Sequence, residues 1–223
     1  MNLSPKTPVV VGVTPGDHGT NRDLVSLLEG AHKGGLNWII LREPHLPTHK
    51  YVAMARYLAP IFGDGLILHG RHPDAVAIAE NSGWGLHMPS HWTKENAIDA
   101  RRVVTGPLGM SCHSLLEIAK ASAANCDYVT ISPIFPPNSK PNDSRPPLGI
   151  VGLEDACRSA QMPLVALGGL DRDRARACIA AGASGIAAMG ALFPKGASPE
   201  GCQSLADALC KGVRAGLSPV FNN

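Results

Sequence analysis

The 223-residue chain has no Cys-x-x-C pair, no Lys/Arg-rich run and no apolar stretch approaching the length of a membrane span. Its six cysteines (Cys112, Cys126, Cys157, Cys178, Cys202 and Cys210) are scattered, several in Ala-rich, helix-like stretches. There a free thiol behaves as a small apolar side chain, which argues against a disulfide framework or a metal cluster. A net charge of +2 without a basic run leaves no footprint for nucleic acid or for a membrane surface. Three Trp, three Tyr and four Phe are too few for a stacking platform on single-stranded nucleic acid. The N-terminus also lacks a basic segment followed by an apolar core, so the chain is expected to be cytoplasmic.

What is present is a rhythm of short apolar runs and longer amphipathic stretches. The runs are Val9–Val13, Trp38–Leu41, Leu66–His69, Trp84–His87, Val103–Thr105, Tyr128–Ile131, Leu164–Leu167 and Gly185–Ala188. Between them lie helix-like segments at Asn21–Lys33, Thr48–Ile61, Pro73–Asn81, Ser114–Ala124, Leu153–Ser159, Arg172–Ala181 and Pro199–Ala215, with a shorter one at Thr93–Ala100. Ser114 with Glu117 three residues on, and Asp171 before a charged turn, are helix-start signals. Near-continuous apolar strands alternating with helices imply a parallel sheet covered on both faces. Eight such units close most simply into a (β/α)8 TIM barrel occupying residues 1–223 as one domain, with a doubly wound open sheet as the alternative. Residues 8–20 form the N-terminal strand and its loop. Residues 136–147, rich in Pro, Asn and Ser, form a long loop directly after the sixth strand, the usual place for a lid or clamp.

A barrel of this kind builds its site at the C-terminal strand ends. Here those ends carry Thr14, Arg42, His69, His87, Ser111 with His113, Ser132, Gly168-Gly169 and Met189-Gly190. Gly168 and Gly169 let the backbone approach an anion closely, and Met189-Gly190 is placed to open a short helix aimed at the same anion. The pair matches the phosphate site that barrels place after strands seven and eight; two tight turns are the plainer alternative. Arg42, ending an apolar strand, points to a carboxylate or phosphate, or else to a salt bridge with Glu43. His69, His87 and His113 end neighbouring strands and fan around one rim, where ligand contact or a structural role is favoured over a transition metal.

Several of these residues lie in a wider pattern. It runs from Gly34-Gly35 leading to Leu41-Arg42-Glu43, through Gly85-Leu86-His87, to Gly109-Met110-Ser111-Cys112-His113-Ser114. Ser132-Pro133-Ile134-Phe135-Pro136, Ser139-Lys140, Pro147-Leu148-Gly149 and Ala166-Leu167-Gly168-Gly169 follow in order. Over roughly Val9 to Leu192 the chain resembles the thiamine phosphate synthase/TenI family. The resemblance implies a TIM barrel, a small phosphorylated thiazole or thiamin-related ligand, and a place in thiamin biosynthesis or salvage. It also implies Ser139 and Lys140 as part of a loop clamp, with Pro137 where the first Thr of that clamp would stand.

The departures separate the family's two activities. The synthase joins a pyrimidine diphosphate to a thiazole phosphate and uses magnesium to neutralise the departing diphosphate. Its Asn-Asp-Arg after the third strand is His69-Gly70-Arg71 here, its Gly-Gln-Glu-Asp after the fourth is Pro89-Ser90-His91-Trp92, and its Lys two residues after Arg42 is Pro44. Both expected magnesium carboxylates are missing. TenI-like members carry out a thiazole tautomerisation that requires no metal, and His113 matches their general acid/base. The expectation is therefore a TenI-like tautomerase without a cofactor. His113 would be catalytic; Arg42, His69, His87, Ser111, Ser139 and Lys140 would contact substrate; Gly168, Gly169, Met189 and Gly190 would hold phosphate. The alternatives are a divergent synthase, with Mg2+, a non-catalytic thiazole or thiamin phosphate-binding protein, and, more remotely, a metal-dependent epimerase-like barrel. A homo-oligomer is compatible with all four.

Overall fold

The computed structural model describes residues 7–16, 23–136 and 145–217. Eight parallel strands close on one another in chain order. They are β1 (Val9–Val13), β2 (Trp38–Leu41), β3 (Leu66–His69), β4 (Gly85–Met88), β5 (Leu108–Cys112), β6 (Tyr128–Ile131), β7 (Leu164–Leu167) and β8 (Gly185–Ala188). Each is followed by a helix: α1 (Leu24–Lys33), α2 (Thr48–Phe62), α3 (Ala75–Ser82), α4 (Lys94–Val103), α5 (Leu115–Ala123), α6 (Gly149–Ser159), α7 (Arg172–Ala180) and α8 (Pro199–Gly216). Among the described residues no helix is long and apolar enough to cross a membrane.

Burial of the strands on both faces accounts for the apolar runs. Outward-facing residues such as Ile39, Leu41, Leu66, Leu68 and Leu86 pack against the helix ring, in one core with Leu28, Leu58 and Leu153. The inward face carries a second, smaller cluster of Val11, Val13, Ile40, Ile67, Tyr128, Val165 and Ala187. Side chains alternate faces along a strand. Residues two positions beyond these inner apolar ones, Arg42 beyond Ile40 and His69 beyond Ile67, therefore point inward as well. This alternation carries the polar residues of the strand ends into the barrel mouth.

Helix starts follow the local capping chemistry. Asp23, Ser114, Asp171 and Ser198 each accept a hydrogen bond from a backbone N–H of the first turn of α1, α5, α7 and α8. Thr93 and Asn96 form a reciprocal capping box at the start of α4, and the helix runs three residues past the Ala100 end expected for it. Helix α6 begins at Gly149, one turn before Leu153. Of the first helix-like segment, residues 21 and 22 lie outside the described residues.

One strand differs from its expected place. The run Val103–Thr105 is not a strand: Val103 closes α4, Val104 caps it, and β5 starts at Leu108. The β-branched run imitates a strand, whereas the true one carries Gly109 and Ser111. Gly109 is required by packing, because it sits opposite Tyr128 in the β5–β6 register and a Cβ there would meet the Tyr128 ring at 2.2 Å. The barrel interior accommodates that one large ring only beside a residue with no side chain.

Gly109→Ala is expected to lower the free energy of unfolding by about 1–3 kcal/mol, the usual penalty of overpacking a filled core. Gly201→Ala is the control: a Cβ there meets only the Ser198 hydroxyl, at 3.4 Å. It should be neutral or stabilising by up to about 1 kcal/mol. Urea titration of the two variants distinguishes them; equal stabilities would refute the packing argument.

Candidate functional site

A cavity of about 970 Å³ opens at the C-terminal mouth of the barrel. Among the expected site residues, Arg42, His69, His87, Ser111, His113, Gly168, Gly169, Met189 and Gly190 all line it. Ser139 and Lys140 lie outside the described residues. Ser132, also marked at a strand end, lines the cavity too, and the wall further contains Arg71, His91, Arg145, Arg174 and Lys195, which the sequence pattern does not mark as ligand residues.

The two glycines after β7 have φ of +111° and +61°, a conformation that side-chain-bearing residues rarely adopt. They also seat the loop that follows β6. A Cβ on Gly168 would approach Pro133 Cα at 3.0 Å, and one on Gly169 would meet the Pro136 carbonyl oxygen at 2.5 Å. The Ile134 and Phe135 N–H groups donate to the carbonyls of Leu167 and Gly168. The pair thus joins two rim loops and lines the cavity at once. After β8 the expected short helix is absent. Met189 to Phe193 make a single turn, in which the Leu192 and Phe193 N–H groups donate to the Met189 carbonyl. Pro194 disfavours helical backbone at the residue before it, so the turn is not extended. On the same side, Arg174 in the first turn of α7 donates to the Gly169 carbonyl at 2.6 Å and lies over the Phe135 ring, 4.9 Å from its centre.

His113 stands just beyond β5. Its Nδ1 lies 2.7 Å from the Ser132 carbonyl oxygen, which can only accept, so Nδ1 carries the proton and Nε2 is the acceptor. Arg145, which follows β6 in the chain, brings Nη1 against the imidazole, 2.7 Å from Nδ1 and 2.6 Å from Nε2. The His113 imidazole is therefore covered by a guanidinium from the neighbouring loop. The sequence marks Arg145 only as an arginine before Pro146-Pro147, and its contact with His113 comes from the fold.

Across the mouth, Arg42 and the buried Glu43 secure the end of β1. The Arg42 Nη1 donates to the Pro15 carbonyl at 2.9 Å, and the Glu43 carboxylate accepts from the Gly16 N–H at 3.0 Å. Burial lowers the Arg42 pKa, and the nearby Arg71 charge lowers it further against the opposing pull of Glu43. Two guanidinium groups thus line this side of the cavity, close enough for one charge to act on the other. Deeper in the barrel, His69 and His87 have ring centres 5.8 Å apart. Burial, with the like charges of His87, Arg42 and Arg71, pushes the His69 pKa down to about 2, and burial alone pushes that of His87 down to about 3. Both rings are neutral at physiological pH.

The magnesium implied by the resemblance does not fit these donors. Magnesium takes oxygen ligands, usually with one or two carboxylates among them. Asp171 is the one carboxylate among the described residues lining the cavity. It is already engaged in capping α7 and pairing with Arg174. Gly70 and Trp92 stand at the positions matched to the two magnesium carboxylates that the resemblance implies. The histidines do not form a transition-metal set either: both His87 nitrogens have hydroxyl partners, at 2.9 and 3.0 Å, and the His113 nitrogens meet Ser132 and Arg145. Among the described residues no three His, Cys, Asp or Glu side chains are placed to share an ion.

Comparison with known proteins agrees with this architecture. The thiamine monophosphate synthase family model matches residues 10–192. The chain is 32% identical over 176 residues to a thiamine-phosphate synthase of Albidiferax ferrireducens, covering 77% of this chain and 78% of that protein. It is 31% identical over 181 residues to that of Moorella thermoacetica, covering 78% and 83%. Among solved structures, a thiamine phosphate pyrophosphorylase from Pyrococcus furiosus superposes with a TM-score of 0.77 at 25% identity, over 97% of this chain and all of that one. These names favour the synthase alternative over the tautomerase expected from the missing carboxylates.

The two neutral histidines predict acid lability of defined sign. Unfolded, each takes up a proton near its ordinary pKa of 6.5; folded, neither does until about pH 2 to 3. Their contribution is intact above pH 6.5 and falls as the pH drops towards 3, by about 2 kcal/mol per histidine between pH 7 and 5. Denaturant unfolding at those pH values measures the loss. His87→Gln should reduce the pH slope by about one proton, and an unchanged slope would contradict a neutral buried His87.

Proposed function

The chain belongs to the thiamine monophosphate synthase family, and we propose that it joins a pyrimidine diphosphate to a thiazole phosphate, with guanidinium groups taking the place of a carboxylate-held magnesium ion. One observation carries this reading: the cavity has two cationic ends. Gly168, Gly169 and the turn at Met189-Gly190 flank one anion position, beside Arg174 and Lys195. Arg42 and Arg71 line the other side, with Arg145 ahead of α6. A condensation of two phosphorylated partners needs both ends, whereas an isomerisation of one monophosphate needs one.

The chemistry follows from charge. As the pyrimidine joins the thiazole, the bond to the diphosphate breaks and negative charge accumulates on the departing group. Fixed guanidinium donors in a partly buried cavity stabilise that charge, because charge-assisted bonds are stronger than neutral ones and the donors are already oriented. Asp171, tied to Arg174, offers little opposing repulsion. Phosphate recognition at the glycine end holds the thiazole partner against the pyrimidine, so the two reacting atoms meet as neighbours.

A second reading, the metal-free thiazole tautomerisation of TenI-like proteins, is favoured by one feature: the Nδ1–H of His113 is fixed by the Ser132 carbonyl, leaving Nε2 as the proton acceptor. In that chemistry Arg145 must leave Nε2 before the histidine acts.

Assay of both reactions in the presence of EDTA separates the readings. Condensation product is expected without added metal. Arg42→Ala and Arg71→Ala should each lower kcat/KM by about 10–100-fold, the worth of one charge-assisted hydrogen bond. Absence of condensation together with a tautomerisation that His113→Ala abolishes would move the protein to the second reading. Binding of thiazole phosphate without either turnover would make it a ligand-binding protein.

A further inference from the structure

Beneath the rim, a line of polar side chains runs through the barrel interior across three adjacent strands. The Tyr128 hydroxyl on β6 lies 3.0 Å from His87 Nδ1 on β4, and His87 Nε2 lies 2.9 Å from Ser111 Oγ on β5. Thr130 Oγ1 is a longer neighbour of the same Nε2, at 3.4 Å. Tyr128 and His87 are each 2% exposed, whereas Ser111 is half-buried and lines the cavity. Gly109 leaves room for the phenol ring, and Trp38 meets it edge-on with ring centres 6.5 Å apart. The ring is therefore held from two sides with its hydroxyl on the histidine.

We infer that Tyr128 fixes His87 in the Nε2–H tautomer, so that His87 donates to Ser111 Oγ and the Ser111 O–H is left to donate to the ligand. Donor and acceptor inventory carries the step. A neutral imidazole has one N–H and one bare nitrogen. If Nδ1 held the proton, it would donate to the Tyr128 oxygen, and the phenolic O–H would be a buried donor for which the described residues show no acceptor other than His87. If Nε2 holds the proton, the phenol donates to bare Nδ1 and Nε2–H donates to Ser111 Oγ with Thr130 as a secondary acceptor; the donor then left without an acceptor among the described residues is the Thr130 O–H, which borders the cavity and not the closed interior. Burial supports the same arrangement, since it keeps the imidazole uncharged and raises the phenol pKa well above its ordinary value. The hydroxyl facing the cavity thereby acquires a direction. Its oxygen is occupied by an incoming N–H and its proton points to the ligand, which selects a heterocycle presenting an acceptor, such as an unprotonated ring nitrogen, at that position. His87 and Tyr128 are positioning residues; Ser111 is the one that touches the ligand. The assignment rests on the reading that the mouth cavity holds the ligand, and it adds a recognition rule within that cavity.

Two measurements on the full chain test it. In nitrogen-15 spectra at pH 7, with the His87 signals assigned by their loss in His87→Gln, Nε2 should be protonated and Nδ1 bare in at least about ten molecules for every one of the opposite kind. A predominance of Nδ1–H would overturn the proposal. Tyr128→Phe, which keeps the ring, should shift the population towards Nδ1–H while the far-ultraviolet circular dichroism is unchanged. A tautomer ratio identical to the native one would likewise overturn it. The second measurement is a double-mutant cycle read by binding of a pyrimidine diphosphate without the thiazole partner. Tyr128→Phe should weaken binding by about 3–10-fold when Ser111 is present, and by less than about 1.5-fold in a Ser111→Ala background. Equal effects in both backgrounds would show that Tyr128 does not act through Ser111. If the native protein binds no pyrimidine diphosphate, the condensation reading fails, and the tautomer measured by nitrogen-15 still decides this inference.

Discussion

Eight strands of four or five residues cannot hide their edge N–H and C=O groups except by closing on one another, and that closure governs everything else in the molecule. It sets the two-residue alternation of each strand against a narrow interior, so that every second side chain competes for the same small volume. Apolar residues such as Val11, Ile40, Ile67 and Val165 fill it on most sides. On the β4–β6 side the volume is shared by Gly109, Tyr128 and His87, and a large polar pair is admitted because its neighbour has no side chain. The same alternation, continued by two residues, delivers Arg42, His69, Ser111 and Thr130 to the top of the barrel. The site is a consequence of the packing beneath it.

The electrostatics of the mouth are one-sided. Among the described residues, Arg42, Arg71, Arg145, Arg174 and Lys195 line it with Asp171 as the opposing carboxylate. Burial first, and the nearby Arg71 charge second, lower the Arg42 pKa, and an entering anion offsets both costs. At the positions matched to the two expected carboxylates this chain presents a glycine, Gly70, and a tryptophan, Trp92. A rim arranged in this way favours ligands that bring their own negative charge and disfavours hard cations that bring more positive charge. The interior histidines sit directly below and stay neutral, so they add hydrogen-bonding direction without adding to the positive field.

The barrel and most of its strands were legible in the sequence because buried parallel strands must be nearly continuous apolar runs. A short run such as Trp38–Leu41 or Leu164–Leu167, bounded by turn residues and too brief for a helix, fits a buried strand and little else. The fifth strand was not legible. Val103-Val104-Thr105 has the composition of a strand yet ends a helix, while Leu108–Cys112 looks weak because its glycine serves a ring on another strand. The rim residues were legible even there, since Ser111 and His113 stand at the strand end whichever run supplies the strand. Arg145 shows the opposite case. Nothing local distinguishes it, and its contact with His113 joins positions 32 residues apart in the chain.

By itself the sequence determined the alternation of elements, the closed barrel as the simplest arrangement, and the inventory of polar residues at the strand ends. Those properties depend on spacing and composition, which are local. Only the tertiary structure decided which of those residues engage one another. It paired His87 with Tyr128 and Ser111, turned Arg42 onto the β1 loop, placed Arg145 on His113, and made Gly168 and Gly169 the seat of a neighbouring loop as well as part of the cavity wall. Hydrogen-bond roles and charge balance are properties of atoms brought together from distant parts of the chain. They come into being when the barrel closes.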